Sequence, residues 1–241
     1  MNRPSLHSAA HPGADPRCPL CRGQGVGVRD LGGLAQLQRC PCVAPCPTCE
    51  GSGYLATGVN VERCMCHVQA ERAGFYDQAG IPARLAGTPL DTWVGHANLA
   101  KAEAWLTGWR PEPGMRGLLV HDPSGDDGAR LLVALLTELI MGVGVRARLV
   151  DLRDPEASWP PTTAYRVLAL LVLGDEPNPL GRRRLERGLA TLEDSGGTLL
   201  AHTRYAPCWE RQGEQGPEPL AERIDAMSAV VALEGCDALI W

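Results

Sequence analysis

The sequence has little of several residue types, and each shortage excludes something. Phe75 is the only phenylalanine and Lys101 is the only lysine, so the core must consist mainly of leucine, valine and alanine. The chain has no apolar run of about 18 residues, so no membrane-spanning helix is expected. An excess of positive charge is also missing. At a net charge of -5, the chain has no general attraction to nucleic acid.

Residues 1–17 are small and polar and include several prolines. They lack the apolar stretch of a secretory signal. We expect them to form a disordered tail, because they could bury too little apolar surface to order the backbone. Without a secretory signal or a membrane span, the composition predicts a cytoplasmic protein.

Cysteine, in contrast, is abundant: eight of the ten cysteines lie between residues 18 and 66. They form two copies of one pattern, "CPLCRGQG" followed by "CPC" and "CPTCEGSG" followed by "CMC". A CxxC turn directs two thiolates at one point, the glycines let the backbone bend around an ion, and a second pair completes a tetrahedron. In a reducing compartment this pattern indicates metal binding rather than disulfides.

The pattern predicts two structural Zn²⁺ sites, because four thiolates leave no open position for water or substrate. With tandem pairing, the ligands are Cys18, Cys21, Cys40 and Cys42 in the first site and Cys46, Cys49, Cys64 and Cys66 in the second. Interleaved pairing is left open, and His67 is an alternative ligand. Zinc contributes roughly 10–16 kcal/mol to the folding of small zinc peptides, enough for a module with a thin apolar core.

From residue 96 onward, apolar and amphipathic segments alternate. We predict strands at 117–121, 145–151, 166–174, 198–202 and 229–235, and helices at 96–109, 128–141, 181–197 and 218–228. This alternation predicts an α/β fold with a parallel sheet flanked by helices. The expected domains are a tail (1–17), a tandem zinc module (18–66), a linker (67–95) and the α/β domain (96–241).

Five stretches of the chain occur in an order that resembles the DnaC/DnaI-type helicase loaders and the related IstB-type ATPases. They are "CPTCEGSGYL", "AGIPARLAGTPLDTW", "GLLVHDPSGDDGARLLVALLTEL", "LLVLGDEP" and "PLAERIDAMSAVVALEG", and the likeness covers residues 46–235. It implies a P-loop-like AAA+ domain of the RecA type behind a cysteine-rich segment, here a double zinc ribbon. The CxxCxGxG frames also resemble the cysteine-rich repeat of DnaJ.

The family's phosphate loop, GxxGxGKT, corresponds to "DPSGDDGA" at residues 122–129. Only Gly125 matches. Gly128 replaces the lysine that contacts the β- and γ-phosphates, and Ala129 replaces the hydroxyl residue that holds magnesium. Three aspartates add negative charge where a triphosphate would lie. Arg130, or a lysine from a partner protein, is a candidate substitute for the missing lysine.

Two further family positions are altered. The acidic pair that ends the family's buried strand corresponds to Asp175 and Glu176, displaced by Gly174. Arg223 matches the first of two family arginines, but Met227 stands in place of the second. The resemblance therefore implies a degenerate AAA+ domain, a pseudo-ATPase, for which ATP and Mg²⁺ are not expected as cofactors.

We interpret the chain as a non-hydrolysing adaptor or scaffold. It would bind a protein partner, a replicative helicase or another ATPase, through its zinc module and AAA+-like surface. One alternative is an ATP-dependent DnaC-like loader in DNA replication. Another is a DnaJ-like, zinc-dependent chaperone factor that binds client proteins. The sequence leaves nucleic-acid binding and the oligomeric state open.

Overall fold

The computed structural model describes residues 10–90, 99–123, 126–154, 164–172, 179–204, 223–224 and 226–232. Contacts between residues divide the chain into two compact units, Met1–Gly87 with Thr137–Val145, and Thr88–Leu136 with Arg146–Trp241. Residues 67–87, treated above as part of a linker, lie in the first unit. Among the described residues, no helix is both long enough and apolar enough to cross a membrane.

The first unit contains two β-hairpins, and each hairpin lies inside one copy of the cysteine pattern. The antiparallel strands are β1 (Val26–Leu31) with β2 (Leu34–Arg39), and β3 (Tyr54–Thr57) with β4 (Asn60–Arg63). In the first turn, Gly32 and Gly33 have φ angles of 65° and 87°, the left-handed pair that a type I′ turn requires. In the second turn, Gly58 has φ 67°.

Helix α1 (Met65–Gln78) begins within the last cysteine pair and contacts a π-helical turn, Leu139–Val143, of the same unit. The Arg72 guanidinium donates hydrogen bonds to the carbonyl oxygens of Met141 (2.7 Å) and Gly142 (2.9 Å). Carbonyl groups at a helix end have no partner within the helix, so this cation satisfies them and stabilises the turn.

The segment after α1 is bonded to the edge of β2. The Ala35 N–H donates to the Ile81 carbonyl oxygen (2.8 Å), and the Ala83 N–H donates to the Gly33 carbonyl oxygen (2.9 Å). A short 3-10 helix follows at Ala83–Leu85. The "GIP" stretch is therefore attached to the first hairpin rather than to the second, although it is nearer to the second in sequence.

The second unit is a parallel sheet flanked by helices. Its strands are β5 (Gly117–His121), β6 (Ala147–Asp151), β7 (Val167–Leu171), β8 (Thr198–Thr203) and β9 (Ser228–Ala232), and its longer helices are α2 (Leu99–Gly108), α3 (Asp127–Glu138) and α4 (Pro179–Asp194). The strand order is β6-β7-β8-β5-β9, with every neighbouring pair parallel. The predicted α/β fold with a parallel sheet is confirmed.

The predicted element ends differ from the observed ends where the backbone leaves its regular conformation. The strand predicted to run to residue 174 ends at Leu171, because Val172 has a φ of 57°, outside the extended region. The helix predicted to run to residue 197 ends at Asp194, and Gly196 then takes a left-handed φ of 64°. Both differences are short backbone irregularities that hydrophobic patterning does not reveal.

One core cluster of the second unit packs the sheet against the inner face of α4, and the leucines of α3 are buried as well. Leucine dominates this cluster, with Val150, Ala201 and Ile224, as the scarcity of phenylalanine predicted. At the start of β5 the backbones approach closely, since a Cβ atom on Gly117 would lie 1.9 Å from the Leu199 carbonyl oxygen. Only glycine fits there, because any side chain would meet the backbone of β8.

Candidate metal centres and candidate nucleotide site

The two CxxC loops have the same backbone geometry. The residues with positive φ occupy the same three positions in each copy: Arg22, Gly23 and Gly25, and Glu50, Gly51 and Gly53. In the first copy the Arg22 N–H donates to the Cys18 carbonyl oxygen, and in the second the Glu50 N–H donates to that of Cys46, both at 2.8 Å. The repeated spacing of the glycines in the two copies therefore has a structural cause, because glycine takes positive φ at little cost.

The eight sulfur atoms form two groups, and the grouping is the tandem one. In the first group the Sγ atoms of Cys18 and Cys40 are 3.7 Å apart and those of Cys21 and Cys42 are 3.5 Å apart. In the second group the corresponding distances are 3.7 Å for Cys46 and Cys64 and 3.4 Å for Cys49 and Cys66. All four Sγ atoms of each group lie within 4.8 Å of one another.

These distances fit a tetrahedral metal site. Four sulfurs at about 2.3 Å from one Zn²⁺ would be about 3.8 Å from each other. A disulfide would need about 2.05 Å, far shorter than any of the four distances above. Each cluster could therefore hold one zinc ion. His67 does not belong to the second group, and its ring instead lies 5.0 Å from the ring of Tyr54.

The cysteines also take the place of an apolar core. Within the described residues 10–66, the buried apolar side chains other than cysteine are Ala35 and Val43. Val43 packs on the first cluster, and the half-buried Leu55 packs on the second. Two small side chains bury too little apolar surface to fold this many residues, so a bound metal is the interaction that suits the hairpins.

The pKa values of the thiols differ within each cluster. Backbone N–H groups of Cys21 and Leu20 lower the pKa of Cys18 to about 7. Burial opposes ionisation of Cys46, but the N–H groups of Thr48 and Cys49 outweigh it and lower its pKa to about 6. Burial raises the pKa of Cys42 and of Cys66 to about 12. A coordinated cation would deprotonate these last two thiols as well.

The hairpins and the residues next to them expose large apolar side chains that the sequence analysis did not single out. They are Leu20, Val28, Leu31 and Leu34 in the first copy and Tyr54, Val59, Val61 and Met65 in the second, and we call them the exposed hairpin residues. Val59 is 100% exposed, Leu20 is 75% exposed and Val61 is 71% exposed. No alternation of buried and exposed residues marked this set in the sequence, since β4 is exposed along its whole length.

The strand order places a topological switch point, the usual position of a ligand-binding crevice, at the carboxyl ends of β5 and β8. The chain leaves β5 towards β6 on one side, whereas it leaves β8 towards β9 on the other side. In open α/β sheets, ligands bind where the connections from two neighbouring strands leave in opposite directions in this way. The loop "DPSGDDGA" starts at this crevice and leads into α3, but Gly125, Asp175 and Glu176 lie outside the described residues.

At the crevice, the start of α3 is bonded to a side chain of the protein itself. Asp122 is 1% exposed, and its Oδ2 accepts a hydrogen bond from the Gly128 N–H at 2.7 Å. A Cβ atom on Gly128 would lie 2.5 Å from the Asp122 Cβ and 2.8 Å from Cδ2 of His202. A lysine could occupy position 128 only if these neighbours moved.

His202 is a residue of this site that the sequence analysis missed. It lies in β8, is 0% exposed, and neither ring nitrogen has a hydrogen-bond partner among the described residues. Burial lowers its pKa to about 4, against a smaller opposing effect of Asp122, so the ring is neutral at pH 7. A histidine within an apolar strand pattern was the only available signal.

The two predicted arginines lie elsewhere. Arg130 is half-exposed and forms an ion pair with Asp127, 3.7 Å away on the same helix. The Arg223 guanidinium donates from Nε to the Glu193 carboxylate at 2.6 Å. The structure brings neither arginine into the bonded group formed by Asp122 and Gly128.

No protein-family model matches the chain, and no curated protein matches it. Solved structures do match. The crystal structure of DnaI has a TM-score of 0.52 and 18% identity, and the match covers 64% of this chain and 92% of that one. A proposed primosome component from Streptococcus pyogenes serotype M3 has a TM-score of 0.55 and 18% identity, with 69% and 97% covered.

At this identity the likeness shows a shared fold alone. The parallel sheet flanked by helices is the P-loop-like AAA+ architecture that the resemblance implied, and two four-cysteine clusters precede it. The predicted likeness to the fold of DnaC/DnaI-type loaders is therefore confirmed. The loss of ATPase activity and the likeness to DnaJ stay predictions.

Proposed function

We propose that the chain is a helicase-loader-like adaptor that binds one protein partner through its metal-held hairpins and its AAA+-like unit, without hydrolysing ATP. Each cysteine cluster would hold one structural Zn²⁺, with all four thiolates as ligands. The observation that carries the proposal is the set of exposed hairpin residues. Exposed apolar side chains on a small rigid module are typical of a surface that another protein covers.

The second hairpin explains how the metal would present such a surface. Side chains alternate between the faces of a strand, and Leu55 points to the cysteine cluster. Its neighbour Tyr54 and the residue Val61 therefore share the opposite face, which is exposed. The His67 ring lies against Tyr54, which restricts the tyrosine. A tyrosine held in this way gives contact area to a partner at little cost in conformational entropy.

The candidate partner is a replicative helicase. The support is the order of motifs that resembles the helicase loaders, together with the fold shared with DnaI and with a proposed primosome component. Independence from ATP is supported by the loop before α3. The positions of the family's lysine and hydroxyl residue are Gly128 and Ala129, and both are buried.

The test is a binding titration of the full chain with the replicative helicase of the same organism, with and without Mg·ATP. Binding is expected without nucleotide. Tyr54→Ser/Val61→Ser should weaken it at least about thirtyfold, the effect of a central interface residue. The control is Glu62→Gln, an exposed residue of the same hairpin that faces the other way. Both variants should retain their zinc.

Other outcomes support the alternatives. Binding that requires Mg·ATP would contradict the adaptor and support an ATP-dependent loader. Suppressed aggregation of many unfolded proteins, without a stoichiometric partner, would support a chaperone factor. Unchanged helicase binding by the Tyr54→Ser/Val61→Ser variant would remove the second hairpin from the interface.

A further inference from the structure

We infer that Asp122 is a built-in anion at the N-terminus of helix α3 and that it closes this position to phosphate. The inference rests on the proposed function in one respect, the absence of ATP hydrolysis, and gives that absence a physical cause. The nucleotide position would be closed by a group that the chain supplies, in addition to lacking the family's lysine.

The start of a helix attracts anions because its first N–H groups have no partner within the helix and the helix dipole is positive there. In phosphate-binding loops this position is filled by phosphate. Here the Asp122 carboxylate takes the Gly128 N–H at 2.7 Å. It therefore makes the contact that a ligand's phosphate would otherwise make.

Asp122 is fixed in this position by the sheet. The Asp122 N–H donates to the Thr203 carbonyl oxygen at 3.0 Å. This bond continues the pairing of β5 with β8 one residue beyond His121, the last paired residue of β5. The carboxylate thus lies at the carboxyl ends of β5 and β8, where the connections from the two strands leave in opposite directions. In the family's motif this position is a glycine, which leaves the same space without a side chain.

A second, independent observation concerns His202. The side chain is 0% exposed, and neither ring nitrogen has a hydrogen-bond partner among the described residues. Its Nε2 would lie 3.1 Å from a Cβ atom on Gly128, so it faces the first turn of α3. Burying an imidazole without a hydrogen-bond partner costs free energy, so a ligand that bonds to the ring would be favoured at this position. Without the Asp122 side chain, the Gly128 N–H and the His202 ring would both face a small oxyanion such as inorganic phosphate.

The experiment compares four full-length proteins by equilibrium binding of a fluorescent ATP analogue with Mg²⁺. They are the wild type, Gly128→Lys/Ala129→Thr, the same double variant with Asp122→Gly, and the same double variant with Asp122→Asn. The wild type should show no binding, and the double variant should bind only weakly. Asp122→Gly should tighten binding by at least about a hundredfold over the double variant, since a buried carboxylate no longer repels phosphate. Asp122→Asn, which keeps the shape but not the charge, should give an intermediate affinity.

The outcomes separate this inference from the proposed function. If the double variant binds as tightly as the variant with Asp122→Gly, the carboxylate does not close the site, and the adaptor proposal stands. If the wild type itself binds and hydrolyses ATP, the proposed function fails. A folded Asp122→Gly triple variant that binds no better than the double variant overturns the inference.

A second measurement covers the case in which the triple variants do not fold. In the single variant Asp122→Asn, hydrogen exchange at the Gly128 amide should be about tenfold faster, because a neutral acceptor bonds more weakly than a carboxylate. Inorganic phosphate should slow that exchange in the single variant Asp122→Gly and not in the wild type. Unchanged Gly128 exchange in Asp122→Asn would overturn the inference.

Discussion

Replacing Cys40 by serine should remove one zinc ion and leave the other, because the two clusters share no cysteine. Zinc content should fall from two ions per chain to one. Hydrogen exchange should become fast in residues 18–43 and in the segment after α1 that is bonded to β2. Residues 46–66 should keep their protection. Cys64→Ser should give the converse result, with the second hairpin lost and the first retained.

The loss of zinc should unfold the first hairpin because few other interactions stabilise it. Zinc binding contributes roughly 10–16 kcal/mol in small zinc peptides. Burial of Val43, the larger of the two buried apolar residues other than cysteine, contributes only about 1.5–3 kcal/mol. Backbone ordering costs about 1–2 kcal/mol per residue, so the apolar term cannot keep the hairpin folded once the metal is lost.

The assay is metal analysis of purified protein combined with hydrogen exchange. The matched control is Leu20→Thr, which changes "CPLC" into the "CPTC" of the second copy at an exposed position. It should keep two zinc ions and normal protection. Loss of both ions from Cys40→Ser, or retention of both, would refute the reasoning from separate clusters.

Three further predictions concern stability. Stability should fall by up to about 3 kcal/mol as pH falls from 6.5 to about 4, because the unfolded chain protonates His202 at its ordinary pKa of 6.5 whereas the folded chain excludes that proton until about 4. Urea unfolding across this range checks it, and a slope that persists in His202→Asn would contradict it. Arg72→Ala should lower the free energy of unfolding by about 1.5–3 kcal/mol, because it removes charged hydrogen bonds to the π-helical turn. Arg63→Ala, which removes an exposed ion pair, should lower it by at most about 1 kcal/mol. Equal midpoints of denaturation for the two variants would count against this. Gly117→Ala should prevent folding or lower the melting temperature sharply, while Gly74→Ala, where a Cβ meets open space within α1, should stabilise by about 0.5–1 kcal/mol. A mild Gly117→Ala variant would show that β5 and β8 can separate.

The parts that follow local rules could be predicted from the sequence. The cysteine spacing predicted two four-cysteine groups, because two thiols three residues apart with glycines after them can converge only within a tight turn. The alternation of apolar and amphipathic segments predicted the parallel sheet, because strands buried on both faces need helices between them. The replacement of the family's lysine by Gly128 could also be recognised from the sequence, because a phosphate-loop motif is a local pattern.

Only the tertiary structure decided the contacts between distant residues. Nothing in the sequence places His202 beside Gly128, or Arg72 at a turn 69 residues further on. The tandem grouping of the cysteines was likewise open until the hairpins closed each cluster separately. Asp122 illustrates why such contacts cannot be predicted from the sequence. In the sequence it is only one of three aspartates in an altered phosphate loop. Its effect comes from burial and from a 2.7 Å bond to the start of α3, which exist only once β5 and β8 lie side by side.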